Sequence, residues 1–173
     1  MAPGERRRAL CGPEAPARIV SGGQSGADRG ALLVARSLGI PLGGWCPAGG
    51  WAEDLPDPPG VRVEFPELTE APTADPAQRT ELNVRDSDAT LILAVAADLT
   101  PSPGTGLTRA LARELGRPVA VVDPQSPAAA DRVRALLTDL AGGVLNVAGP
   151  RESESPGLQA ATQRLLLDVL SPF

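Results

Sequence analysis

The segment SGGQSGADR, at residues 21–29, has a composition typical of anion-binding loops. Its glycines permit a tight turn and the close approach of a ligand to the backbone. A helix is predicted to begin at residue 26, and the free N–H groups and dipole of a helix N-terminus favour phosphate. The spacing differs from the GxGxxG of dinucleotide-binding folds, so we expect a phosphate site without a dinucleotide fingerprint. The candidate ligand-binding residues in this segment are Ser21, Gly22, Gly23, Gln24, Ser25, Gly26, Asp28 and Arg29.

Asp28 is predicted to lie in the first turn of that helix, where the helix dipole stabilises a negative charge. We therefore expect its carboxyl group to stay ionised, with a lowered pKa. The alternative interpretation of the segment is a tight turn in which Asp28 only stabilises the helix.

Two later segments also lead from glycines into predicted helices. The threonines of PSPGTGLTR, at 101–109, are plausible phosphate ligands, although Pro–Gly turns are common and the pattern is weakly specific. The segment NVAGPRESESPG, at 146–157, contains Arg151, whose guanidinium can bind an anion through two hydrogen bonds. The alternative for this segment is a helix start capped by Ser153 or Ser155. The candidate ligand-binding residues of the two segments are Gly104, Thr105, Thr108, Arg151, Glu152 and Ser153.

Histidine, lysine and tyrosine are absent from the chain. Their absence excludes a Ser-His-Asp or Cys-His pair, a Schiff-base lysine, a P-loop lysine and histidine ligands to zinc. An acid–base enzyme would have to use carboxylates such as Asp28, Glu53 or Glu152, or the thiol of Cys46. The glycine-containing loops offer mainly backbone donors, hydroxyl groups and arginine. We therefore expect a binding protein with no catalytic residue and no metal ligands of its own.

Composition also limits the partners and the compartment. The net charge of −5 provides no basic field for nucleic acid, and no run of about 18 apolar residues is present to span a membrane. The two cysteines, Cys11 and Cys46, do not make a disulfide framework, so a reducing, cytoplasmic environment is expected. Residues 1–16 lack the apolar core of a secretory signal and are predicted to form a disordered tail. A single domain is expected from residue 17 to residue 173.

Apolar runs bounded by glycine and proline alternate with helical patterns along the chain. Strands are predicted at 17–23, 40–45, 61–65, 89–95, 117–123 and 143–150. Helices are predicted at 26–39, 76–85, 107–116, 126–142 and 156–170. This alternation predicts an α/β protein with a three-layer, Rossmann-like fold, in which a mainly parallel sheet is flanked by helices. Ligands of such sheets bind at the carboxyl ends of the strands, where the glycine-containing loops are placed.

The helix predicted at 76–85 has a clear start signal. Asp75 is a candidate N-cap, Pro76 takes the first helical position, and Gln78 is placed to complete a capping box. The dense polar residues from 79 to 88 are interpreted as salt bridges on the helix surface. Ser126 is likewise the candidate cap of the helix predicted at 126–142.

Cys46 directly follows the strand predicted at 40–45. Its position at a carboxyl strand end would let the thiol face the ligand cleft and contact a ligand there. The alternative is a small packing residue, because free cysteine often behaves as an apolar group.

These segments, taken together from about Arg18 to Leu170, resemble the molybdenum cofactor carrier proteins. The resemblance rests on several motifs in the same order, which makes it more specific than any single glycine loop. The motifs are SGGQSGADR (21–29), GIPLGGWCPAGGWAED (39–54), QRTELNVRDSD (78–88), GTGLTR (104–109) and LNVAGPRESESPG (145–157).

The resemblance implies a Rossmann-like fold, a homo-oligomer (dimer or tetramer) and binding of molybdenum cofactor, a pterin with a terminal phosphate and a dithiolene-held metal. The wider superfamily includes phosphoribohydrolases and DNA-processing proteins. Leu111 stands where the hydrolases carry a catalytic glutamate, and Trp51 stands where relatives often have a basic residue. A carrier of a phosphorylated pterin or nucleotide is the favoured interpretation. A nucleotide-processing hydrolase and a nucleotide-ligand sensor remain alternatives.

Overall fold

The computed structural model describes residues 14–95 and 103–171, and within these ranges strands and helices alternate. The strands are β1 (Arg18–Val20), β2 (Leu42–Gly43), β3 (Trp45–Cys46), β4 (Thr69–Glu70), β5 (Ala89–Leu93), β6 (Val119–Val122) and β7 (Val144–Ala148). The helices are α1 (Ala27–Leu38), α2 (Pro76–Arg85), α3 (Pro103–Glu114), α4 (Ala129–Leu140) and α5 (Leu158–Leu170).

Five of the strands form one parallel sheet in the order β2-β1-β7-β5-β6. The remaining two, β3 and β4, pair in parallel as a small separate sheet. Because all paired strands of the main sheet run in the same direction, their carboxyl ends meet at one edge. The predicted three-layer, Rossmann-like α/β fold is confirmed.

Side chains on β5 and β7 alternate between the two faces of the sheet, as a period of two residues requires. Leu91, Leu93 and Leu145 join the main hydrophobic core together with residues of α1, α4 and α5. The opposite face carries Thr90 and Asn146, and the Asn146 amide donates to the Thr90 hydroxyl at 3.4 Å. Helices α2 and α3 pack against each other over this second, more polar face.

The strand predicted at 61–65 is wrong, because this segment forms a 3₁₀ turn at Gly60–Val63. Val61 and Phe65, four residues apart, are both buried against Cys46 in a second core cluster. The N–H groups of Glu64 and Phe65 donate to the carbonyl of Val61 at 3.1 and 2.9 Å, so the backbone of this segment forms its hydrogen bonds within the turn. The small strand that follows is β4.

The start signal of α2 is only partly as predicted. Asp75 is the N-cap, since its Oδ1 accepts the N–H of Ala77 at 2.9 Å. The predicted capping box is wrong: Oε1 of Gln78 accepts from the N–H and hydroxyl of Thr73, both at 2.8 Å. The hydrogen bonds of Thr73 tie the preceding loop to the first turn of the helix.

Other helix boundaries differ from the predicted ones by a few residues. Helix α3 begins at Pro103, earlier than residue 107, whereas α4 begins at Ala129 and α5 at Leu158, both later than predicted. The N-cap of α4 is Ala128, whose N–H donates to the Ser126 hydroxyl at 3.3 Å. Residues 1–13 of the predicted tail and residues 96–102 of the predicted loop lie outside the described residues.

Across the described ranges, none of the helices is long and apolar enough to cross a membrane.

Candidate functional site

A cavity of about 340 Å³ opens at the carboxyl edge of the sheet. The loop after β1, the end of β7, helix α2 and the first turns of α3 form its walls. Its lining residues are Gln24, Asp28, Asp75, Pro76, Ala77, Arg79, Thr80, Pro103, Gly104, Thr105, Leu107, Thr108, Ala148, Gly149, Arg151 and Glu154. Of the predicted ligand-binding residues, the cavity brings together Gln24, Asp28, Gly104, Thr105, Thr108 and Arg151.

The cavity wall contains a buried pair of opposite charges, Asp28 and Arg79. Oδ2 of Asp28 accepts the N–H of Gln24 at 3.3 Å and Nη1 of Arg79 at 3.0 Å. The Asp28 side chain is 2% exposed and that of Arg79 is 17% exposed. The guanidinium also lies directly over Gly22, where any side chain would overlap Nη1. This close approach is a reason for glycine at position 22 that does not involve a ligand.

The prediction that Asp28 has a lowered pKa is wrong. Burial raises the pKa of its carboxyl group above the ordinary value, although Arg79 and the N–H of Gln24 act in the opposite direction. Removing the carboxylate from water costs more free energy than these hydrogen bonds and the Arg79 charge restore. Asp28 therefore binds a proton more readily than an exposed aspartate.

Two polar atoms in this region are buried without a hydrogen-bond partner among the described residues: Oγ1 of Thr105 and Nε of Arg79. Thr105 lies in the first turn of α3 and is 4% exposed. Its neighbour Thr108 differs, because its hydroxyl donates to the carbonyl of Gly104 at 2.8 Å. The Thr105 hydroxyl and the Arg79 N–H thus remain available to a ligand atom.

Arg151 reaches the cavity from the loop after β7. Its Cζ lies 5.5 Å from the ring centroid of Trp51, within the range of a cation–π contact. Its backbone N–H donates to Oε2 of Glu154 at 3.2 Å. The cavity therefore has two guanidinium groups in its wall, Arg79 from α2 and Arg151 from the loop.

The N-terminus of α1 does not open onto the cavity as a bare helix end. Gly26, its N-cap, has φ 84°, and a Cβ there would lie 2.5 Å from the carbonyl oxygen of Pro150 and 2.9 Å from the nitrogen of Glu152. The side chain of Gln24 also bonds to the backbone at this end of the helix. Its oxygen accepts the N–H of Ser25 at 3.1 Å and that of Glu53 at 2.8 Å. In the structure, the first turns of α2 and α3 line the cavity, and α1 contributes Asp28.

The remaining predicted ligand-binding residues lie outside the cavity lining and have protein partners. These residues are Ser21, Gly22, Gly23, Ser25, Gly26, Arg29, Glu152 and Ser153. Arg29 forms ion pairs with Asp54 at 3.0 Å and Glu64 at 3.3 Å. Glu152 accepts the N–H groups of Gly157 at 2.6 Å and Gln159 at 2.9 Å, and so caps the start of α5. A ligand contact from any of these residues stays a prediction.

Cys46 is fully buried in the second core cluster, beside Leu32 and Phe65, and it is not part of the cavity lining. Its Sγ lies 3.6 Å from the carbonyl oxygen of Thr69. Burial, reinforced by the charge of Glu70, raises the pKa of the thiol. This geometry agrees with the packing interpretation and not with a thiol facing the cleft.

Sequence reasoning missed Arg79, which the polar pattern at 79–88 placed among surface salt bridges. Its partner Asp28 is 51 residues away in the chain, so no local spacing could have identified the pair. A usable signal was the composition: with lysine and histidine absent, any side chain that forms an ion pair with a buried carboxylate must be arginine. Asp75 and Glu154 at the cavity rim were also missed as lining residues.

Within residues 14–95 and 103–171, no group of three or more His, Cys, Asp or Glu side chains is placed to hold a metal ion.

A family model and a solved structure are similar to this chain. The model of the circularly permutated YpsA SLOG family matches residues 19–170. A crystal structure of a "Putative molybdenum carrier protein" from Syntrophus aciditrophicus SB is 38% identical, with a TM-score of 0.81. The alignment covers 91% of this chain and 96% of that chain. No curated protein matches the sequence.

The family match runs from β1 to α5, and the solved structure shares the fold over nearly its whole length. The resemblance to molybdenum carrier proteins is confirmed. The chain belongs to the circularly permutated YpsA SLOG family.

Proposed function

We propose that this protein binds and carries a small phosphorylated molecule, a molybdenum cofactor or a related pterin or nucleotide, in the cavity at the carboxyl edge of the sheet. The observation that carries the proposal is the buried, unpartnered hydroxyl of Thr105 in the first turn of α3, within the cavity wall.

A buried polar group without a partner costs about 1–3 kcal/mol, so a ligand atom that completes its hydrogen bond is stabilised there. Arg79, which lines the same cavity, offers a second unsatisfied donor in its Nε. Arg151 adds a guanidinium that can form paired hydrogen bonds to phosphate. Donors from α3, α2 and the loop after β7 thus converge on one space, which suits a phosphate oxygen.

The cavity volume of about 340 Å³ is typical of a small-molecule site. For a molybdenum cofactor, the terminal phosphate would be held by Thr105, Arg79 and Arg151. The described part of the chain places no cluster of metal ligands near the cavity. The metal of such a cargo would therefore keep the dithiolene ligands of the pterin itself.

The direct test is mass spectrometry of small molecules released from protein purified under native conditions, with Arg151→Ala purified in parallel. We expect a phosphorylated pterin or nucleotide from the unmodified chain and a smaller yield from the variant. Release of only unphosphorylated compounds would contradict the proposal.

A second measurement isolates the phosphate contact. Calorimetry with guanosine monophosphate and guanosine compares two ligands that differ only in the phosphate. Arg151→Ala should lower the affinity for the monophosphate by about tenfold or more, because a hydrogen bond to a charged group contributes about 1.5–3 kcal/mol. Equal losses for the two ligands would remove Arg151 from the phosphate site.

A nucleotide-processing hydrolase is a second candidate, favoured by one observation. Asp28 faces the cavity and burial raises its pKa, which brings a carboxyl group closer to the range useful for proton transfer at neutral pH. Incubation with nucleoside monophosphates and magnesium tests it. Release of free base that disappears in Asp28→Asn would favour the hydrolase over the carrier.

A further inference from the structure

Arg151 lies in the loop after β7, where its side chain and the neighbouring backbone make contacts with a separate segment of the chain. Two residues of the segment 46–60 provide them, Trp51 and Glu53. Neither belongs to the cavity lining. This segment lies between β3 and the 3₁₀ turn at Gly60–Val63.

Trp51 contacts the guanidinium itself. The ring centroid lies 5.5 Å from Cζ of Arg151, and the indole is half-buried. Contacts of this kind restrict the orientation of an arginine without using its N–H donors. The donors of Arg151 therefore stay free for a ligand while the side chain is held in place.

Glu53 holds the backbone that carries Arg151. Its carboxylate accepts the N–H of Ser153 at 3.1 Å, the hydroxyl of the same serine, and the hydroxyl of Ser25. Ser25 in turn accepts the N–H of Glu152 at 3.1 Å. One carboxylate thus joins the segment 46–60, the N-terminus of α1 and the loop after β7.

The charge of Glu53 suits this role. Partial burial alone would raise its pKa, but hydrogen bonds from Ser153 and Ser25 and the charge of Arg151 hold it below its usual range. The group is therefore an anion at neutral pH with its oxygens already in use. That state makes Glu53 an anchor and a poor proton acceptor for a substrate.

We propose that Trp51 and Glu53 are positioning residues, which hold Arg151 at the edge of the cavity and thereby set the affinity for an anion that neither of them touches. The effect on anion affinity rests on the proposed function, whereas the positioning of Arg151 does not. The position of Arg151 can be measured without any ligand.

The first experiment measures modification of arginines by phenylglyoxal, resolved by peptide mass spectrometry, in Trp51→Leu and Trp51→Phe. Loss of the indole should raise the rate at Arg151 about two- to fivefold, as expected for an exposed cation–π contact. Trp51→Phe keeps an aromatic face and should restore most of the protection. Arg36 is the internal control, because its Cζ lies 4.3 Å from the ring centroid of Phe65 and does not depend on Trp51.

The second experiment measures affinity for inorganic pyrophosphate by calorimetry in the same variants, in Glu53→Gln and in Arg151→Ala. Affinity should fall most in Arg151→Ala, about two- to fivefold in Trp51→Leu, and less in Trp51→Phe. Thermal unfolding of each variant checks that it is folded, and Trp51→Phe keeps the test valid if Glu53→Gln unfolds.

If phenylglyoxal modifies Arg151 at the same rate in Trp51→Leu as in the unmodified chain, the positioning role of Trp51 is overturned. Unchanged pyrophosphate affinity in Arg151→Ala instead contradicts the phosphate contact of the proposed function, and the modification rates then still decide whether Trp51 holds Arg151. Faster modification of Arg151 with unchanged modification of Arg36 supports the proposal.

Discussion

Two buried threonines have hydroxyl groups without a partner among the described residues, Thr105 and Thr162. Thr105 lines the cavity, whereas Thr162 lies in α5 against Gly30 of α1. The two residues share burial and an unused hydroxyl but differ in access to a ligand. They therefore form a matched pair for testing whether the hydroxyl at the cavity has a function.

Thr105→Val is expected to weaken pyrophosphate binding by about tenfold or more, because it removes a hydrogen bond to a charged oxygen worth about 1.5–3 kcal/mol. The free energy of unfolding should not fall, since valine has a similar shape and the lost hydroxyl has no partner in the protein. Thr162→Val is the control and should leave binding unchanged. Calorimetry and urea unfolding measure the two quantities, and equal binding in both variants would contradict the role of Thr105.

The protonation of Asp28 should make the free energy of unfolding depend on pH. Because its pKa is raised in the folded state, the folded protein binds this proton more tightly than the unfolded chain does. The stability associated with the group is present below the ordinary pKa of 3.8 and is lost as pH rises through the raised value. The other charged groups of the cavity lining are Arg79, which contacts Asp28 directly, and Asp75, Arg151 and Glu154.

The free energy of unfolding of the unmodified chain, minus that of Asp28→Asn, should therefore decrease as pH rises from 4 towards neutral. The other carboxyl groups occur in both proteins, so their contributions largely cancel in the difference. Urea unfolding at a series of pH values measures it. A difference that increases with pH would mean that Arg79 outweighs burial and that the pKa is lowered.

At the scale of the element, α1 has glycines with positive φ at both ends but in different surroundings. Gly26, its N-cap, has φ 84° and is pressed against the backbone of Pro150 and Glu152. Gly39, its C-cap, has φ 68° and no atom within 4 Å of where a Cβ would be. Strain from the positive φ acts at both positions, whereas a clash acts only at the first.

Gly39→Ala is expected to destabilise the protein by about 1–2 kcal/mol, the cost of a left-handed residue with a Cβ. Gly26→Ala should cost more, because the loop after β7 has to move as well, and it should also weaken pyrophosphate binding through Arg151. Urea unfolding and calorimetry test both effects. Equal destabilisation by the two variants would show that the loop yields without cost.

At the scale of the whole molecule, two hydrophobic clusters lie beneath the elements that carry the cavity. The main cluster lies between the sheet and helices α1, α4 and α5, and the second is formed around Phe65, Leu32 and Cys46. Helix α1 contributes to both, since Leu32 is in one and Val34 in the other. Opening of the second cluster is therefore expected to require loss of the α1 packing.

The thiol of Cys46 reports on that opening. In a Cys11→Ser variant, Cys46 should react with dithionitrobenzoate only at the rate at which the fold opens, because the thiol is fully buried and its pKa is raised. Pyrophosphate should slow the reaction only as far as it stabilises the protein. The fully reactive control is the same variant in guanidinium chloride, and rapid labelling under native conditions would contradict the burial of Cys46.

The order of the elements could be predicted from local patterns. The run ATLILAV is apolar at every position except Thr90, which is typical of a strand covered on both faces, and β5 indeed lies inside the sheet. Asp75 and Pro76 predicted the start of α2 correctly. This prediction needs only local sequence, because an N-cap satisfies N–H groups two or three residues away. Alternating strands and helices then implied a parallel sheet, with the loops at its carboxyl edge.

Contacts between distant parts of the chain decide which residues line the cavity. Asp28 meets Arg79 across 51 residues, where the guanidinium from α2 lies over Gly22 in the loop after β1. The covering of the α1 N-terminus by residues 150–152, and the contact of Trp51 with Arg151, likewise join separate segments. Local propensity reflects hydrogen bonds and side-chain spacing within a few residues, whereas burial, charge pairing and a raised carboxyl pKa arise only when remote segments exclude water together.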